Sequence, residues 1–162
     1  MFDRETAALA TAALDACRRR GWRIATAESC TGGLVAAALT AIAGASEVFE
    51  RGFVTYSNRS KRELLGLPEA TLTTHGAVSA ETALALAQGT VVRAGADLAV
   101  SVTGIAGPGG GTVDKPVGLI YLGVATRAAG RSERHVFSGD RNAVRYAAMV
   151  RALAMLRETA EG

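Results

Sequence analysis

The sequence predicts an α/β fold in which helices cover both faces of one mixed, mostly parallel sheet, a three-layer α/β/α arrangement. Runs with strand character alternate with helix-forming runs from the N-terminus onward, which is typical of parallel strands joined by helices. Two β-rich runs near the C-terminus flank a short turn and indicate an antiparallel hairpin. The 162 residues fall in the usual range for one domain, so we expect residues 1–162 to form a single domain.

In the N-terminal half, the predicted elements alternate between helix and strand. The first helix contains helix formers throughout and ends in "RRRG", which suits the C-terminal end of a helix. Gly44 and Gly66 are stop signals for the next two helices. We therefore expect helix, strand, helix, strand and helix over residues 4–20, 22–27, 31–44, 51–57 and 59–66.

In the C-terminal half, Ser79 is placed after the turn "HGAVS" to cap a helix that continues through Arg93. A buried strand is expected over residues 97–105, and residues 104–116 are so rich in glycine and proline that they must form a loop. Asp140 is placed to cap the closing helix. The two hairpin strands and this helix are expected over residues 117–126, 131–139 and 140–160.

Composition and charge favour a soluble globular protein that takes a small substrate. Hydrophobic residues make up 49% of the chain and charged residues 20%. The net charge of +3 comes from scattered arginines without interleaved aromatics, so it suits a small anionic substrate better than nucleic acid. Two cysteines are too few for a disulfide framework, no export signal is recognisable, and no uncharged 18-residue run could span a membrane. We expect a cytoplasmic protein without a membrane partner.

Three polar clusters follow three of the predicted strands. They are "ESCTGG" at residues 28–33, "TYSNRSK" at residues 55–61 and "TGIAGPGGG" at residues 103–111. In open α/β sheets, ligands bind outside the carboxyl ends of the strands. We therefore expect the three clusters to meet in one site.

The first cluster contains two candidate nucleophiles. Ser29 precedes a predicted helix N-terminus, whose free N–H groups stabilise negative charge, and Gly32 and Gly33 allow a ligand to approach the backbone. The alternative is that Ser29 or Thr31 is only the N-cap of that helix. Cys30 is the rival nucleophile, because a helix N-terminus lowers the pKa of a thiol, although a buried inert thiol is the ordinary case.

A serine nucleophile needs a base, and the second cluster offers one. Lys61 lies five residues after Tyr56 at the start of a predicted helix, and a partly desolvated lysine can accept a proton. The alternative is a solvated surface lysine. His75, expected in a turn, and His135, on a predicted strand, are not excluded by position, but neither adjoins a recognisable triad arrangement.

The glycine-rich loop and the last helix offer groups for an anion. The loop lacks the Gly-Lys-Ser/Thr of a P-loop and is followed by a strand, so it is a weak phosphate signal. Arg141 and Arg145 are four residues apart on one helix face, which is a spacing that can clamp an anion or simply face solvent. The acidic residues are isolated and no Cys/His cluster is present, so we expect no metal and no other cofactor.

Several long segments in one order closely resemble the CinA C-terminal domain family, which includes stand-alone nicotinamide-nucleotide amidohydrolases, or NMN deamidases. The segments are "TAESCTGGLVAAALTAIAGASEVFERGFVTYSNRSKRELLG", "GAVS", "SVTGIAGPGGGTVDKPVGLIYLGVA" and "GDRNAVR". The resemblance implies an α/β/α fold, self-association as a dimer or larger homo-oligomer, and the single-domain form of the family. It also implies hydrolysis of the carboxamide of nicotinamide mononucleotide (NMN) to nicotinate mononucleotide and ammonia.

The resemblance also implies roles for particular residues. Ser29 is the implied nucleophile, with Tyr56 and Lys61 as its activating partners, although Tyr56 could equally stack on the pyridine ring. Arg141 and Arg145 are the implied holders of the 5′-phosphate. Backbone N–H groups of residues 31–33 at the helix start, or of residues 104–107 in the glycine-rich loop, would form the oxyanion hole. The remaining implied substrate-binding residues are Thr31, Gly32, Gly33, Thr103, Gly104, Ile105, Ala106 and Gly107.

Three other interpretations of the sequence stay open. One is a catalytically silent nucleotide-binding module of the CinA type, in which the pocket persists without turnover. A second is a DNA-associated factor, which the mild positive charge and the competence-related family name suggest. A third keeps the amidohydrolase and makes Cys30 the nucleophile in place of Ser29.

Overall fold

The computed structural model describes residues 2–162, which form six α-helices, five strands and one short 3₁₀ turn. In chain order the elements are α1 (Arg4–Arg20), β1 (Ile24–Glu28), α2 (Leu34–Thr40), the 3₁₀ turn (Ala45–Glu47), β2 (Phe49–Val54), α3 (Asn58–Leu65), α4 (Glu69–His75), α5 (Ala80–Ala94), β3 (Leu98–Gly104), β4 (Leu119–Thr126), β5 (Gly130–Val136) and α6 (Arg141–Glu161). The alternation of strand and helix followed by a hairpin is the predicted order.

The five strands form one mixed sheet in the order β2-β1-β3-β4-β5. Strand β1 is parallel to both β2 and β3, whereas β4 is antiparallel to both β3 and β5. Four strands therefore point one way and β4 runs against them, which confirms the predicted mixed, mostly parallel sheet. The register pairs Glu28 with both Val54 and Val102, so the carboxyl ends of β1, β2 and β3 meet at one edge.

The two faces of the sheet carry side chains of different size. Large side chains such as Leu98, Val100 and Val102 pack in one core with α1, α2 and α6. On the other face Ala99 packs against α5, and the next residue on that face, Ser101, donates a hydrogen bond to the Ala83 carbonyl at 2.5 Å. Helices thus cover both faces, as predicted, and the small residues let α5 lie close to the sheet.

Capping residues and most boundaries agree with the sequence. The side chains of Ser79 and Asp140 accept hydrogen bonds from the N–H groups of Thr82 and Ala143, as helix caps do. Helix α2 ends at Thr40 and not at Gly44, so the predicted length was wrong. Helix α4 was not predicted, because it buries none of its side chains and so carries no apolar pattern. His75, expected in a turn, is its last residue.

Helices α1 and α6 pack on one another within the large core. Leu14 and Cys17 of α1 and Leu153 of α6 are fully buried there. These parts of the two helices are therefore covered inside the chain, and the expected self-association stays a prediction. None of the helices within residues 2–162 has the length and apolarity needed to cross a membrane.

The close approach of β4 and α5 depends on Gly123. A Cβ atom at this position would lie 2.2 Å from the Ala83 carbonyl oxygen. We expect Gly123→Ala to lower the free energy of unfolding by about 1–3 kcal/mol, because the helix must move off the sheet. Urea denaturation measures the change. Gly109→Ala is the control, since nothing lies within 4 Å of its Cβ position, and equal stability of the two variants would contradict this account.

Candidate active site

Ser29 lies directly after the carboxyl end of β1. Its backbone N–H donates to the Val102 carbonyl at 3.0 Å, which continues the pairing of β1 with β3. The side chain is 9% exposed and lines a cleft at this edge of the sheet. Residues 29–33, which we call the nucleophile turn, then lead into α2, and the Gly32 N–H donates to the Ser29 carbonyl at 3.0 Å.

The cap of α2 comes from Glu28, the last residue of β1. Its carboxylate accepts hydrogen bonds from the N–H groups of Gly33, Val35 and Ala36 at 3.0, 3.0 and 2.8 Å. The Glu28 side chain is buried, and the helix N-cap position is Gly33, at a φ of 103° that favours glycine. The alternative that Ser29 or Thr31 caps this helix is therefore wrong.

Arg145 of α6 contacts the other side of the nucleophile turn. Its Nε donates to the Cys30 carbonyl at 2.9 Å and its Nη2 donates to the Thr31 carbonyl at 3.0 Å. The half-buried Arg145 side chain thus binds carbonyl groups of the turn, and the buried Glu28 side chain binds N–H groups at the start of α2. The turn that carries Ser29 is held from two directions.

Lys61 of α3 is buried beside Ser29. Its Nζ lies 3.2 Å from Ser29 Oγ, and it donates to the carbonyls of Thr55 and Tyr56 at 2.7 and 3.2 Å. Only 1% of the residue is exposed, so the surface-lysine alternative is wrong. Burial disfavours the ammonium form and holds the pKa of Lys61 below the ordinary value of 10.5.

The three contacts of Lys61 suit an ammonium that donates to all three oxygen atoms, and they also suit a neutral amine. Such an amine has two N–H bonds and one lone pair. If the N–H bonds point to the carbonyls of Thr55 and Tyr56, the lone pair is left for the Ser29 hydroxyl. In this state Ser29 donates its proton to Lys61, which is the geometry that a general base requires.

Tyr56 lies at the rim of the cleft and is 62% exposed. Its hydroxyl accepts a hydrogen bond from Nη2 of Arg141 at 3.2 Å, and Nη1 of Arg141 donates to the Gly107 carbonyl at 2.8 Å. Within residues 2–162 the Tyr56 hydroxyl makes no hydrogen bond to Ser29 or Lys61. Its contact with Lys61 runs through the backbone carbonyl.

Cys30 also lines the cleft, but its thiol is poorly suited to attack. Burial raises the pKa of Cys30 to about 11. The thiol is therefore uncharged near neutral pH, whereas the nucleophilic form of a cysteine is the thiolate. The geometry favours Ser29 over Cys30.

The cleft has a volume of about 310 Å³. Its lining consists of Ser29, Cys30, Tyr56, Asn58, Lys61, Ala77, Val78, Thr103, Gly104, Ile105, Ala106, Gly107, Gly109, Gly110 and Arg141. The three sequence clusters do meet here. Four of the expected substrate-binding residues lie outside this lining, namely Thr31, Gly32, Gly33 and Arg145.

Sequence reasoning missed part of the lining. Asn58 follows the "TYS" motif but carried no chemical signal of its own, and Ala77 and Val78 offer no reactive side chain. The Thr103 hydroxyl holds this last segment in place by donating to the Ala77 carbonyl at 2.8 Å. Ala77 and Val78 reach the site because the turn before α5, which contains them, packs against β3.

Not every backbone N–H near the site is free to bind an oxyanion. The N–H groups of Gly32 and Gly33 are bound by the Ser29 carbonyl and the Glu28 carboxylate. By contrast, the N–H groups of Ala106 and Gly107 have no acceptor within residues 2–162, and both residues line the cleft. The residues that the structure describes contain no cluster of three or more His, Cys, Asp or Glu side chains arranged for a metal ion.

The model of the CinA C-terminal domain family matches residues 6–160. The chain belongs to this family. It is 50% identical over 157 residues to the nicotinamide-nucleotide amidohydrolase PncC of Escherichia coli K12, which covers 96% of this chain and 95% of that protein. It is 54% identical over 137 residues to the protein of the same name from Enterobacter agglomerans, which covers 83% of each.

Other relatives are longer proteins. The chain is 49% identical over 139 residues to a CinA-like protein of Syntrophobacter fumaroxidans, covering 86% of this chain and 33% of that protein. The chain thus spans about a third of the length of the first curated relatives that it matches. A crystal structure of the competence/damage inducible protein CihA from Agrobacterium tumefaciens superposes with a TM-score of 0.93 at 46% identity, covering 100% of this chain and 99% of that one.

Proposed function

We propose that this protein is a nicotinamide-nucleotide amidohydrolase that converts NMN to nicotinate mononucleotide and ammonia. The observation that carries the proposal is the buried amine of Lys61, 3.2 Å from the hydroxyl of Ser29. A hydroxyl paired with a desolvated lysine is an activated nucleophile of the kind used for amide hydrolysis. The 50% identity to a protein named for this activity supports the choice of substrate.

In the first half of the proposed reaction, Ser29 attacks the carboxamide carbon of NMN. The Ser29 proton moves to Nζ of Lys61, and a bond forms between Oγ and the carbon. The resulting tetrahedral intermediate carries negative charge on its oxygen. Lys61 then returns the proton to the departing nitrogen, the C–N bond breaks, and ammonia leaves behind an ester on Ser29.

In the second half, water hydrolyses the ester. Lys61 accepts a proton from the water as its oxygen bonds to the carbonyl carbon. The second tetrahedral intermediate collapses when the bond to Oγ breaks, and the proton on Lys61 restores the Ser29 hydroxyl. Nicotinate mononucleotide leaves, and the protein returns to its starting state.

The unbound N–H groups of Ala106 and Gly107 are our choice for the oxyanion hole. Ala106 and Gly107 line the cleft, whereas in the other segment the N–H groups of Gly32 and Gly33 have partners already and Thr31 lies outside the lining. A donor of this kind typically contributes about 3 kcal/mol to lowering the barrier.

The rim of the cleft suits the nucleotide portion of NMN. Arg141 supplies a guanidinium for the 5′-phosphate, and Tyr56 holds it through a hydrogen bond at 3.2 Å. Tyr56 supports the reaction through its backbone carbonyl on Lys61, and its exposed ring is available to stack on the pyridine. Asn58 adds an amide at the same rim.

The direct test is ammonia release from NMN by the purified protein in the presence of EDTA. We expect turnover by the wild type and by Cys30→Ala, and a loss of at least about 100-fold in a folded Ser29→Ala variant. Thermal melts establish that each variant is folded. Binding of NMN without ammonia release would overturn the proposal in favour of a silent nucleotide-binding module, and loss of activity in Cys30→Ala alone would make Cys30 the nucleophile.

The proposed role of Lys61 predicts a rising pH profile. Lys61 accepts a proton only as the free amine, so kcat/KM is low where the ammonium dominates and increases with pH. Because burial lowers the pKa of Lys61, the increase ends below pH 10.5. Lys61→Arg should lose about 10²- to 10⁴-fold in activity. Lys115→Arg, which changes the chain's other lysine, should keep the wild-type profile, and an unchanged profile in Lys61→Arg would contradict the assignment.

The proposed phosphate contact predicts a substrate-dependent effect of Arg141→Ala. Loss of one charge-assisted contact costs roughly 1.5–3 kcal/mol, so KM for NMN should increase by about 10- to 100-fold. The riboside of nicotinamide lacks the phosphate, and its kcat/KM should change little. Steady-state kinetics on both substrates measure the difference, and equal losses on NMN and the riboside would contradict a phosphate contact.

A further inference from the structure

We infer that Glu28 and Arg145 act together as positioning residues that fix the nucleophile turn, residues 29–33, and that Arg145 is not a phosphate ligand. The inference rests on the proposed role of Ser29 as nucleophile. Neither side chain contacts Ser29 Oγ or Lys61. Each acts on the backbone from which Ser29 projects.

The Glu28 half of this arrangement directs a buried carboxylate at the N-terminal end of α2. Three N–H groups converge on it, and the side chain is only 1% exposed. No arginine, lysine or histidine within residues 2–162 pairs with it. The charge is therefore stabilised by those N–H groups and by the helix N-terminus, so the start of α2 is tied to the end of β1.

The Arg145 half binds the opposite set of backbone groups. Its Nε and Nη2 donate to the Cys30 and Thr31 carbonyls at 2.9 and 3.0 Å, so one edge of the guanidinium binds two successive carbonyls of the turn. Arg141, one helical turn earlier on α6, lines the cleft, whereas Arg145 does not. The two arginines therefore have different roles despite their shared helix face.

The nucleophile turn needs such support because its own sequence provides little. Gly32 and Gly33 have φ values of 62° and 103°, and glycine restrains the backbone less than any other residue. Helix α2 has seven residues and no local side-chain cap. Without the two outside contacts, the turn would sample other conformations and Ser29 Oγ would leave its 3.2 Å contact with Lys61.

The experiment compares Arg145→Ala and Arg145→Lys with Arg141→Ala and with Arg157→Ala, the control that removes an arginine from α6 without touching the cleft. The first readout is the rate at which a fluorophosphonate labels Ser29, followed by intact mass. In this reaction Oγ bonds to phosphorus, fluoride leaves and Lys61 accepts the proton, so NMN is not needed. The second readout is the Kd for NMN, measured for each variant in a Ser29→Ala background.

We expect both Arg145 variants to slow labelling by about 10- to 100-fold, because a displacement of about 1 Å is enough to disrupt attack. Their NMN affinity should stay within about twofold, and turnover should fall in kcat with KM nearly unchanged. Arg141→Ala should lose NMN affinity, and Arg157→Ala, which lies outside the cleft lining, should match the wild type in both readouts. Arg145→Lys keeps the charge but not the fork of two donors, so it reports on positioning even if Arg145→Ala does not fold.

A tenfold loss of NMN affinity with unchanged labelling would overturn the inference and make Arg145 a substrate ligand. Unchanged labelling and unchanged affinity would show that the turn does not depend on Arg145. A wild-type protein that labels at Ser29 but does not hydrolyse NMN would refute the proposed substrate while leaving the labelling comparison valid. A wild-type Ser29 that does not label would overturn the inference, since no activated nucleophile would exist to be positioned.

Glu28→Gln provides the second arm. Glutamine keeps the size of the side chain but replaces one accepting oxygen with an amide that faces backbone N–H groups. We expect labelling of Ser29 to slow by about tenfold at unchanged NMN affinity in the Ser29→Ala background. Labelling at the wild-type rate in a folded Glu28→Gln variant would contradict the role of Glu28.

Discussion

The hydrogen-bonded contact between the buried amine of Lys61 and the hydroxyl of Ser29 is the interaction on which the rest of the site depends. A lysine ammonium is costly to bury, and three oxygen atoms from Ser29, Thr55 and Tyr56 surround this one. The same burial that costs stability lowers the pKa of Lys61, so more of the lysine is present as the free amine, the form that accepts a proton. Hydrogen bonds to the three oxygen atoms offset part of the free-energy cost of burying Lys61. The proposed reaction uses the lowered pKa that this burial produces.

The sheet topology provides the elements that this contact requires. Because β2, β1 and β3 are parallel neighbours, their carboxyl ends bring the three following loops to one edge. The loop after β1 provides Ser29, the loop after β2 provides two carbonyls, and α3 directs Lys61 back toward them. Small residues at the α5 face bring the turn before α5 close enough to close the cleft. The fold thus brings Ser29 and Lys61, which lie 32 residues apart in the chain, into contact.

The parts of this structure that were predictable from sequence are those determined by local signals. The bounds of α1, the caps at Ser79 and Asp140, and the convergence of polar clusters follow from periodicity, capping chemistry and the strand-end rule. The cap of α2 was not predictable, because its carboxylate comes from the preceding strand across an irregular turn. The same is true of Arg145, whose target carbonyls lie 114 and 115 residues away in the chain. Helix α4 escaped prediction because nothing in it is buried.

The lowered pKa of the buried Lys61 ammonium can be measured directly, because the chain has only two lysines, Lys61 and Lys115. NMR of protein labelled with ¹³C at lysine Cε would follow both titrations, with Lys115→Arg assigning the signals. We expect the Lys61 signal to titrate clearly below 10.5, because burial lowers the pKa of this lysine. A Lys61 pKa at or above 10.5 would contradict this expectation, since the lysine would then be a fixed cation and Ser29 would lack its base.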